Sequence, residues 1–498
     1  MTGRSSDKVR GQRGIVVIML SMLVAVVLLP LVGLAIDGTI LYLVQAKLSA
    51  AVDAATLAAA RSLSVGLDLP AQTASAVATA QSFFSANFPT GYWNTSNLSL
   101  STSVAQTANK TRTVTMQTSV SVPLTFMRLL GQTQSTVGAQ GQASRRDVVM
   151  VIVLDRSGSM ANAGVCGTMI SAAENFVGYF ANGQDELGLV TFADGPNLTY
   201  APTLDFDSNS PSLTTAISAV QCYGDTGSAA ALNMAYTQLQ AVNEPGALNV
   251  IVFFTDGHPN GVAANFPVKT AADNRYGVYS SGANNYNTVV GDPKSSCSSS
   301  ANKAGVVSQW SGEPAPSVGY TGGLIATTTA SANTTSVQLA PSVDSQCAMY
   351  SNPSNLNIQI NMREDIAYIP ALDLYNNATT GYQSFASGDL YPGGNPYMGQ
   401  IRVDTPTAVV TASLNAADNQ ATAIRNDPNL IPVIYSIGLG GTVAEPIDAT
   451  FMERISNDPR SPIFNASQPA GEYFYSPTAT DLGGVFQQVA SEILRLSQ

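Results

Sequence analysis

The chain has 498 residues, more than a single compact core usually holds, so we expect two or three domains. It is 45% hydrophobic but only 11% charged, about half the usual share of charged residues. Its net charge of −11 excludes the basic surface with which proteins bind nucleic acids. Its single histidine excludes a zinc site built from histidines.

The N-terminal segment predicts a membrane anchor. Four basic residues precede Gly14–Ile36, an apolar run of 23 residues without a charge. As a helix this run would be about 34 Å long, enough to cross a bilayer. The pattern continues through Asp37 into an Ala-rich helix, so an uncleaved anchor fits better than a signal peptide or a buried core helix. The positive-inside rule then predicts a cytoplasmic N-terminus, with everything after Asp37 outside the cytoplasm.

This segment also resembles a known family. The shared features are a glycine after a basic stretch, an apolar helix, an aspartate, and the motif QxxLxxAxDAATLAAA, which here begins at Gln45. Together they resemble the N-terminal segment of TadE/TadG proteins of tight-adherence (Tad/Flp) pilus systems. Met19 stands five residues after Gly14, where type IV prepilins carry a glutamate, so we do not predict prepilin-type cleavage.

Residues 66–146 predict a small α+β domain, with a semi-ordered stalk as the alternative. A helix is expected at 71–86, followed by three segments in which apolar and polar residues alternate as in half-buried strands. These segments are 97–104, 111–124 and 135–144. The predicted division is therefore 1–65 for the basic tip, anchor and continuing helix, 66–146 for this domain, and 147–498 for the remainder.

From Val148 onward, continuous apolar strands alternate with helices. This pattern predicts an α/β domain with a doubly wound, mostly parallel, Rossmann-like sheet covered on both faces. The expected strands are 148–154, 186–193, 248–256 and 431–440, and the expected helices are 168–181, 213–222, 229–242, 418–426 and 479–496.

A long insertion, residues 261–415, interrupts this domain. Its length predicts an ordered segment with a small core of its own rather than a bare loop. Cys297 and Cys347 lie inside it, while Cys166 and Cys222 lie in the main domain. In an exported chain these would form the disulfides Cys166–Cys222 and Cys297–Cys347; buried thiols are the alternative, and four cysteines allow three pairings.

Oxygen-bearing side chains gather where the strands of such a sheet end. Asp155, Ser157 and Ser159 follow the first strand, Thr226 lies in a loop before a helix, and Asp256 follows a central strand. Ligands of doubly wound sheets bind at these carboxyl ends. Two carboxylates and three hydroxyls form an all-oxygen set that suits Mg²⁺, with Mn²⁺ or Ca²⁺ as alternatives.

The spacing DxSxS…T…D resembles the metal-ion-dependent adhesion site (MIDAS) of von Willebrand factor A (VWA) domains. The resemblance covers about 148–260 and 418–498, and it departs from many relatives at Asp225, where they carry glycine. It implies that Asp155, Ser157, Ser159, Thr226 and Asp256 hold the cation. It also implies that an acidic residue of a protein partner completes the coordination. The alternative is a VWA fold whose site takes no metal.

Anchor and VWA domain together resemble TadG-like proteins. This implies a single-pass inner-membrane protein with its bulk in the periplasm or at the cell surface, which contacts a pilus or envelope component through the metal. The alternative is a minor-pilin-like structural envelope component without a metal-dependent role. We do not expect an enzyme or a small-molecule substrate, because the chain has no GxSxG elbow, no P-loop lysine motif, and no histidine besides His258.

Overall fold

The chain divides into two compact units, Met1–Arg146 and Asp147–Ser497. The computed structural model describes residues 16–63, 69–108, 110–193, 195–222, 224–267, 277–281, 284–290, 303–308, 324–325, 367–382, 385–403, 405–440 and 447–497. Each unit has its own hydrophobic core and is described by itself.

The first unit begins with one long helix, α1 (Val16–Ser62), which contains a π-helical turn at Val24–Leu28. The large apolar side chains that the structure describes between Val16 and Ile36 are 38–69% exposed. Within the described part of the chain, α1 is the one helix long and apolar enough to cross a membrane. An apolar surface of this extent in water is unfavourable, which supports a membrane-anchoring role for this half of α1.

A second helix and a three-stranded antiparallel sheet complete this unit. The helix is α2 (Leu69–Asn87), and the strands follow in the order β1 (Ser96–Ala108), β2 (Thr111–Pro123) and β3 (Gln134–Arg146). Short 3₁₀ helices lie at Tyr92–Asn94 and Met127–Leu130. The helix and the three strands thus lie where the sequence pattern predicted them, with each strand within four residues of its predicted ends.

The second half of α1 shares its core with α2 and the sheet. Leu48 and Val52 of α1 are fully buried in one cluster with Phe84 of α2 and Met116 of β2. The predicted division after residue 65 therefore separates two helices that pack in the same core. The Ala-rich sequence of α1 allows this, because small side chains let a helix approach a sheet closely.

The second unit is built on a six-stranded sheet. Its strands are β4 (Val148–Asp155), β5 (Glu186–Phe192), β6 (Pro196–Thr203), β7 (Leu248–Thr255), β13 (Val433–Leu439) and β14 (Tyr473–Ser476). Their spatial order is β14, β13, β7, β4, β5 and β6, and all are parallel except β6, which is an antiparallel edge strand. The predicted mostly parallel sheet is confirmed.

Helices cover both faces of this sheet, as a doubly wound fold requires. They are α3 (Gly158–Asn162), α4 (Cys166–Val177), α5 (Leu213–Ser218), α6 (Ser228–Val242), α7 (Pro406–Arg425), α8 (Ala449–Ser456) and α9 (Leu482–Leu496), the last preceded by a 3₁₀ turn at Ala479–Asp481. Strand β4 is buried throughout. Val151 and the residues that alternate with it on one face of the strand pack in the core with α6, α7 and α8. Ile152 and the residues that alternate with it on the other face pack in the core with α4, α5 and α9.

The first strand of the insertion packs on the core of the main domain. Strand β8 (Gly261–Phe266) forms an antiparallel sheet with β11 (Lys303–Ser308) and β12 (Leu324–Ile325), and β9 (Gly277–Ser281) pairs with β10 (Asn284–Val290). Val262 of β8 is buried in the main core, whereas Ala263 faces a small separate cluster. The small core of the insertion thus exists alongside a larger attachment to the domain. Cys297 and Cys347 lie outside the described residues.

Candidate functional site

The register of two neighbouring strands brings the site residues together. Strands β4 and β7 are parallel neighbours in which Leu154 pairs with Phe254. One residue further, the chain places Asp155 beside Thr255, and Asp256 follows directly. Both aspartates therefore lie at the carboxyl end of the sheet, where a doubly wound fold binds its ligands.

Asp155 is completely buried and held by two hydrogen bonds. The backbone N–H of Ser157 donates to its Oδ1 at 2.7 Å, and the Thr255 hydroxyl donates to its Oδ2 at 2.6 Å. Ser157 itself has an extended backbone and immediately precedes α3. The chain thus turns back over the strand end, which directs the following residues toward Asp155.

A chain of hydroxyls links this turn to Asp256. The Ser157 and Ser159 hydroxyl oxygens are 2.9 Å apart, and the Ser159 hydroxyl donates to Oδ1 of Asp256 at 2.6 Å. Asp256 is 3% exposed. The structure therefore gathers Asp155, Ser157, Ser159 and Asp256 into one hydrogen-bonded cluster of oxygen atoms.

Thr226 lies in the adjacent loop, where its backbone is fixed on both sides. Its N–H donates to Oδ1 of Asn260 at 2.7 Å, and its carbonyl accepts from the N–H of Asn260 at 3.0 Å. The N–H of Gly158 donates to the carbonyl of Gly224 at 2.7 Å, which joins this loop to the turn after β4. The Thr226 side chain is 1% exposed and stays a predicted ligand.

A disulfide ties the same two loops together. Cys166, the first residue of α4, is bonded to Cys222, just before the Thr226 loop, across 56 residues of sequence. This is one of the two pairings that the sequence suggested. Because one cysteine follows the DxSxS turn and the other precedes Thr226, the bond limits how far the two loops can separate.

The electrostatics of this cluster favour a cation. Burial and the nearby charge of Asp256 raise the pKa of Asp155 to about 7, although hydrogen bonds from Ser157 and Thr255 oppose the shift. Two buried carboxylates this close together disfavour ionisation of both, and a divalent cation between them would reverse this effect. The donor set, with carboxylates and hydroxyls within hydrogen-bonding distance of one another, fits a hard divalent cation.

Within the described residues, no group of three or more histidine, cysteine, aspartate or glutamate side chains is close enough to hold a metal. A metal site here therefore depends on the hydroxyls as much as on the two carboxylates. His258 is partly buried in the loop after Asp256, and no described hydrogen bond links its side chain to the cluster. Sequence reasoning missed Thr255 and Asn260; the run Thr255–Asn260 directly after a buried strand was the available signal.

Comparisons with known families give two separate matches. Residues 14–62 match the family described as putative Flp pilus-assembly TadE/G-like, and residues 150–258 match the von Willebrand factor type A domain. The second match spans the segment from β4 to His258 and includes all five predicted ligands. Comparison with curated protein sequences found no match.

Comparison with solved structures gives distant matches. The pilus adhesin SpaC of Lactobacillus rhamnosus GG is 12% identical with a TM-score of 0.35, over 80% of this chain and 34% of its own. The vWF domain of the type V pilus tip protein Mfa5 of Porphyromonas gingivalis is 18% identical with a TM-score of 0.36, over 72% and 98% of the two chains.

The PilB minor pilin of Streptococcus sanguinis is 12% identical with a TM-score of 0.36, over 82% of this chain and 80% of its own. TM-scores at this level carry no argument about function. The chain also spans only about a third of the length of SpaC. The two family matches are therefore what identifies the chain: it joins a TadE/G-like N-terminal segment to a von Willebrand factor type A domain, as in a TadG-like protein.

Proposed function

We propose that this protein is a membrane-anchored binding module of a Tad/Flp-type pilus system, which contacts a pilus or envelope component through a divalent cation. The observation that carries this proposal is the cluster at the ends of β4 and β7, in which Ser159 bridges toward Asp256 beside the buried Asp155. The match of residues 14–62 to the TadE/G-like family supplies the pilus context.

In this proposal Asp155, Asp256 and the hydroxyls of Ser157, Ser159 and Thr226 hold the cation, Mg²⁺ first. Five side-chain oxygens would leave one position of a six-coordinate shell open, and a carboxylate oxygen of an acidic residue of the partner could fill it. Residues around the site contribute by holding these groups in place: Thr255 orients Asp155, and Asn260 fixes the backbone of Thr226. Such fixed ligands favour binding because little ordering is required when the ion arrives.

The apolar half of α1 supports the proposed compartment. The exposed apolar half of α1 would cross the inner membrane, with the basic residues before Gly14 in the cytoplasm and the second unit in the periplasm or at the cell surface. The Cys166–Cys222 disulfide supports this placement, since disulfides persist in oxidising compartments. Binding rather than catalysis is proposed, because the carboxylates and hydroxyls of the site form the ligand set of a hard cation and the sequence contains no GxSxG elbow.

Calorimetric titration of Mg²⁺ into the full chain in detergent micelles tests the metal site. We expect saturable binding that is lost in Asp155→Asn and in Asp256→Asn. Asp205→Asn, which removes an exposed acid elsewhere in the domain, is the matched control and should bind as the parent does. Absence of Mg²⁺, Mn²⁺ and Ca²⁺ binding to the parent would contradict the proposal.

The minor-pilin-like alternative is supported by one observation, the continuous helix from Val16 to Ser62 with an exposed apolar half. A helix of this kind could pack among pilin helices, with the second unit as cargo. The two functions differ in what pilus assembly requires. Loss of assembly in Asp256→Asn supports the metal-dependent role, whereas loss only in variants of the apolar half of α1 supports the structural role.

A further inference from the structure

We infer that the loop between β2 and β3, residues 124–132, is a second membrane contact that enters the bilayer interface beside the anchor. This inference rests on the proposed function in one respect, namely that the apolar half of α1 crosses a membrane. It adds a specific surface and a specific partner, the lipid of that bilayer, which the anchor alone does not imply.

The loop is fastened to α1 at the point where the apolar run ends. Asp37 is 1% exposed, and its carboxylate accepts three backbone hydrogen bonds from the loop. The donors are the N–H groups of Thr125 at 3.0 Å, Phe126 at 2.9 Å and Met127 at 2.7 Å. Hydrogen bonds to an ionised group are among the stronger ones, so the loop is held close to this level of the helix.

A close contact between Phe126 and Gly33 shows that the loop also lies beside the apolar segment of α1. A Cβ atom added at Gly33 would lie 2.5 Å from Cβ of Phe126, so the phenylalanine occupies the space that a larger side chain would fill. Gly33 precedes Asp37 by one helical turn, which is about 6 Å along the axis. Phe126 thus reaches about 6 Å past Asp37 into the stretch that would cross the membrane, the depth typical of interfacial apolar groups.

The exposed side chains of the loop suit a bilayer interface. Phe126 is 39% exposed and Leu130 is 70% exposed, although both are large and apolar. Arg128 between them is also exposed and can reach lipid phosphates from an interfacial position. Phe126 lies against α1 at Gly33, and the backbone turn Met127–Leu130 is also close to this helix, so one lipid environment can cover the loop and the exposed apolar surface of α1.

Fluorescence quenching by brominated lipids tests this placement in the full chain. Trp93 and Trp310 are first replaced by phenylalanine, and single tryptophans are introduced as Leu130→Trp in the loop, Leu28→Trp in the anchor and Gln106→Trp near the far end of β1. The vesicles contain phosphatidylglycerol and phosphatidylcholine with brominated acyl chains. Gln106 pairs with Arg112, which is about 36 Å along β2 from Pro123.

We expect quenching in Leu28→Trp and Leu130→Trp and none in Gln106→Trp. Gly33→Leu, which keeps the anchor apolar but displaces Phe126, should at least halve the quenching of the Leu130→Trp fluorophore and leave that of Leu28→Trp unchanged. Quenching at position 28 without quenching at 130 overturns the inference while the anchor stands. Quenching at neither position overturns the anchor and the inference together. Unaltered quenching at 130 in Gly33→Leu overturns the role of the Phe126 contact.

Discussion

The Ser159 hydroxyl donates a hydrogen bond of 2.6 Å to Oδ1 of Asp256, across 97 residues of sequence. This bond joins the turn after one central strand to the end of its neighbour. In a metal-bound state both oxygen atoms are expected to turn toward the ion, since hydroxyl and carboxylate oxygens both coordinate hard cations. A substitution in this pair therefore distinguishes an effect on metal binding from an effect on the free energy of unfolding.

Asp256→Asn is expected to remove Mg²⁺ binding and, without metal, to stabilise the protein. Burial is the main cause that raises the pKa of Asp155, and the charge of Asp256 adds to it. The substitution removes only this second contribution, so we expect the metal-free unfolding free energy to rise by up to about 1 kcal/mol. Urea unfolding of the full chain in EDTA and in saturating MgCl₂ measures both effects. A metal-free variant with a lower free energy of unfolding than the parent would show that the proximity of the two carboxylates does not destabilise the protein.

Reduction of the Cys166–Cys222 disulfide is expected to weaken metal binding as well as stability. The bond closes a loop of 56 residues, for which the chain-entropy argument gives about 4 kcal/mol as an upper value. Because it connects the loops that carry Ser159 and Thr226, we also expect Mg²⁺ affinity to fall about tenfold, as when supporting residues of metal sites are lost. Calorimetry on Cys166→Ser/Cys222→Ser checks this.

The matched control for the disulfide is Cys297→Ser/Cys347→Ser, which leaves the Cys166–Cys222 bond in place. We expect its Mg²⁺ affinity to equal that of the parent. Equal affinity in both double variants would show that the loops hold their positions without the bond.

Sequence patterns predicted the candidate ligands but not the groups that orient them. The structure brings together Asp155, Ser157, Ser159 and Asp256, whereas Thr226, which was predicted from the loop before a helix, stays a prediction. Thr255 orients Asp155 only because of the strand register, and a register shift of one residue would direct it to the opposite face. Register depends on packing between distant segments, which local patterns do not encode.

Elements at the margins of the sheet were also missed for physical reasons. Strand β6 begins at Pro196 and contains Pro202, which an antiparallel edge tolerates but which argues against a strand in sequence. Helix α7 begins at Pro406, but only 418–426 was predicted as helical. Its first half was missed because that half is rich in β-branched residues, which have a lower helix propensity. Proline at the first helical position was the available signal. The buried strands, by contrast, were predicted closely because their apolar runs are continuous.

Acid is expected to destabilise the second unit through Asp458. This buried carboxylate accepts hydrogen bonds from the N–H groups of Arg460 and Tyr473, both at 2.8 Å, and from the Arg460 guanidinium. Burial alone would raise its pKa, but these bonds hold the pKa below its ordinary value. A lowered folded-state pKa means that the stabilisation is complete above the unfolded pKa of about 4 and is lost as the pH falls through the folded-state pKa.

Asp458→Asn tests this pH dependence. We expect a loss of about 1–2 kcal/mol at neutral pH, since Arg460 is half-exposed and its charge is screened by solvent. The difference from the parent should shrink as the pH falls below about 4, because Asp458 of the unfolded parent becomes protonated at a higher pH than Asp458 of the folded parent. Urea midpoints across this pH range measure it, with Asp205→Asn as the control. A difference that does not change with pH would assign the effect to geometry rather than charge.

Gly471→Ala and Gly483→Ala form a matched pair that tests the packing around β13 and β14. A Cβ atom at Gly471 would lie 1.9 Å from the carbonyl oxygen of Ile434 and 2.9 Å from that of Ser456, so backbone must move. We expect the free energy of unfolding to fall by about 2–4 kcal/mol, since neither neighbour is a flexible side chain.

At Gly483, in the first turn of α9, a Cβ atom would have nothing within 4 Å. Alanine there should stabilise by up to about 1 kcal/mol through helix propensity. The urea midpoints of the two variants should therefore move in opposite directions, and a normal midpoint for Gly471→Ala would mean that β14 does not approach β13 as closely as this structure requires.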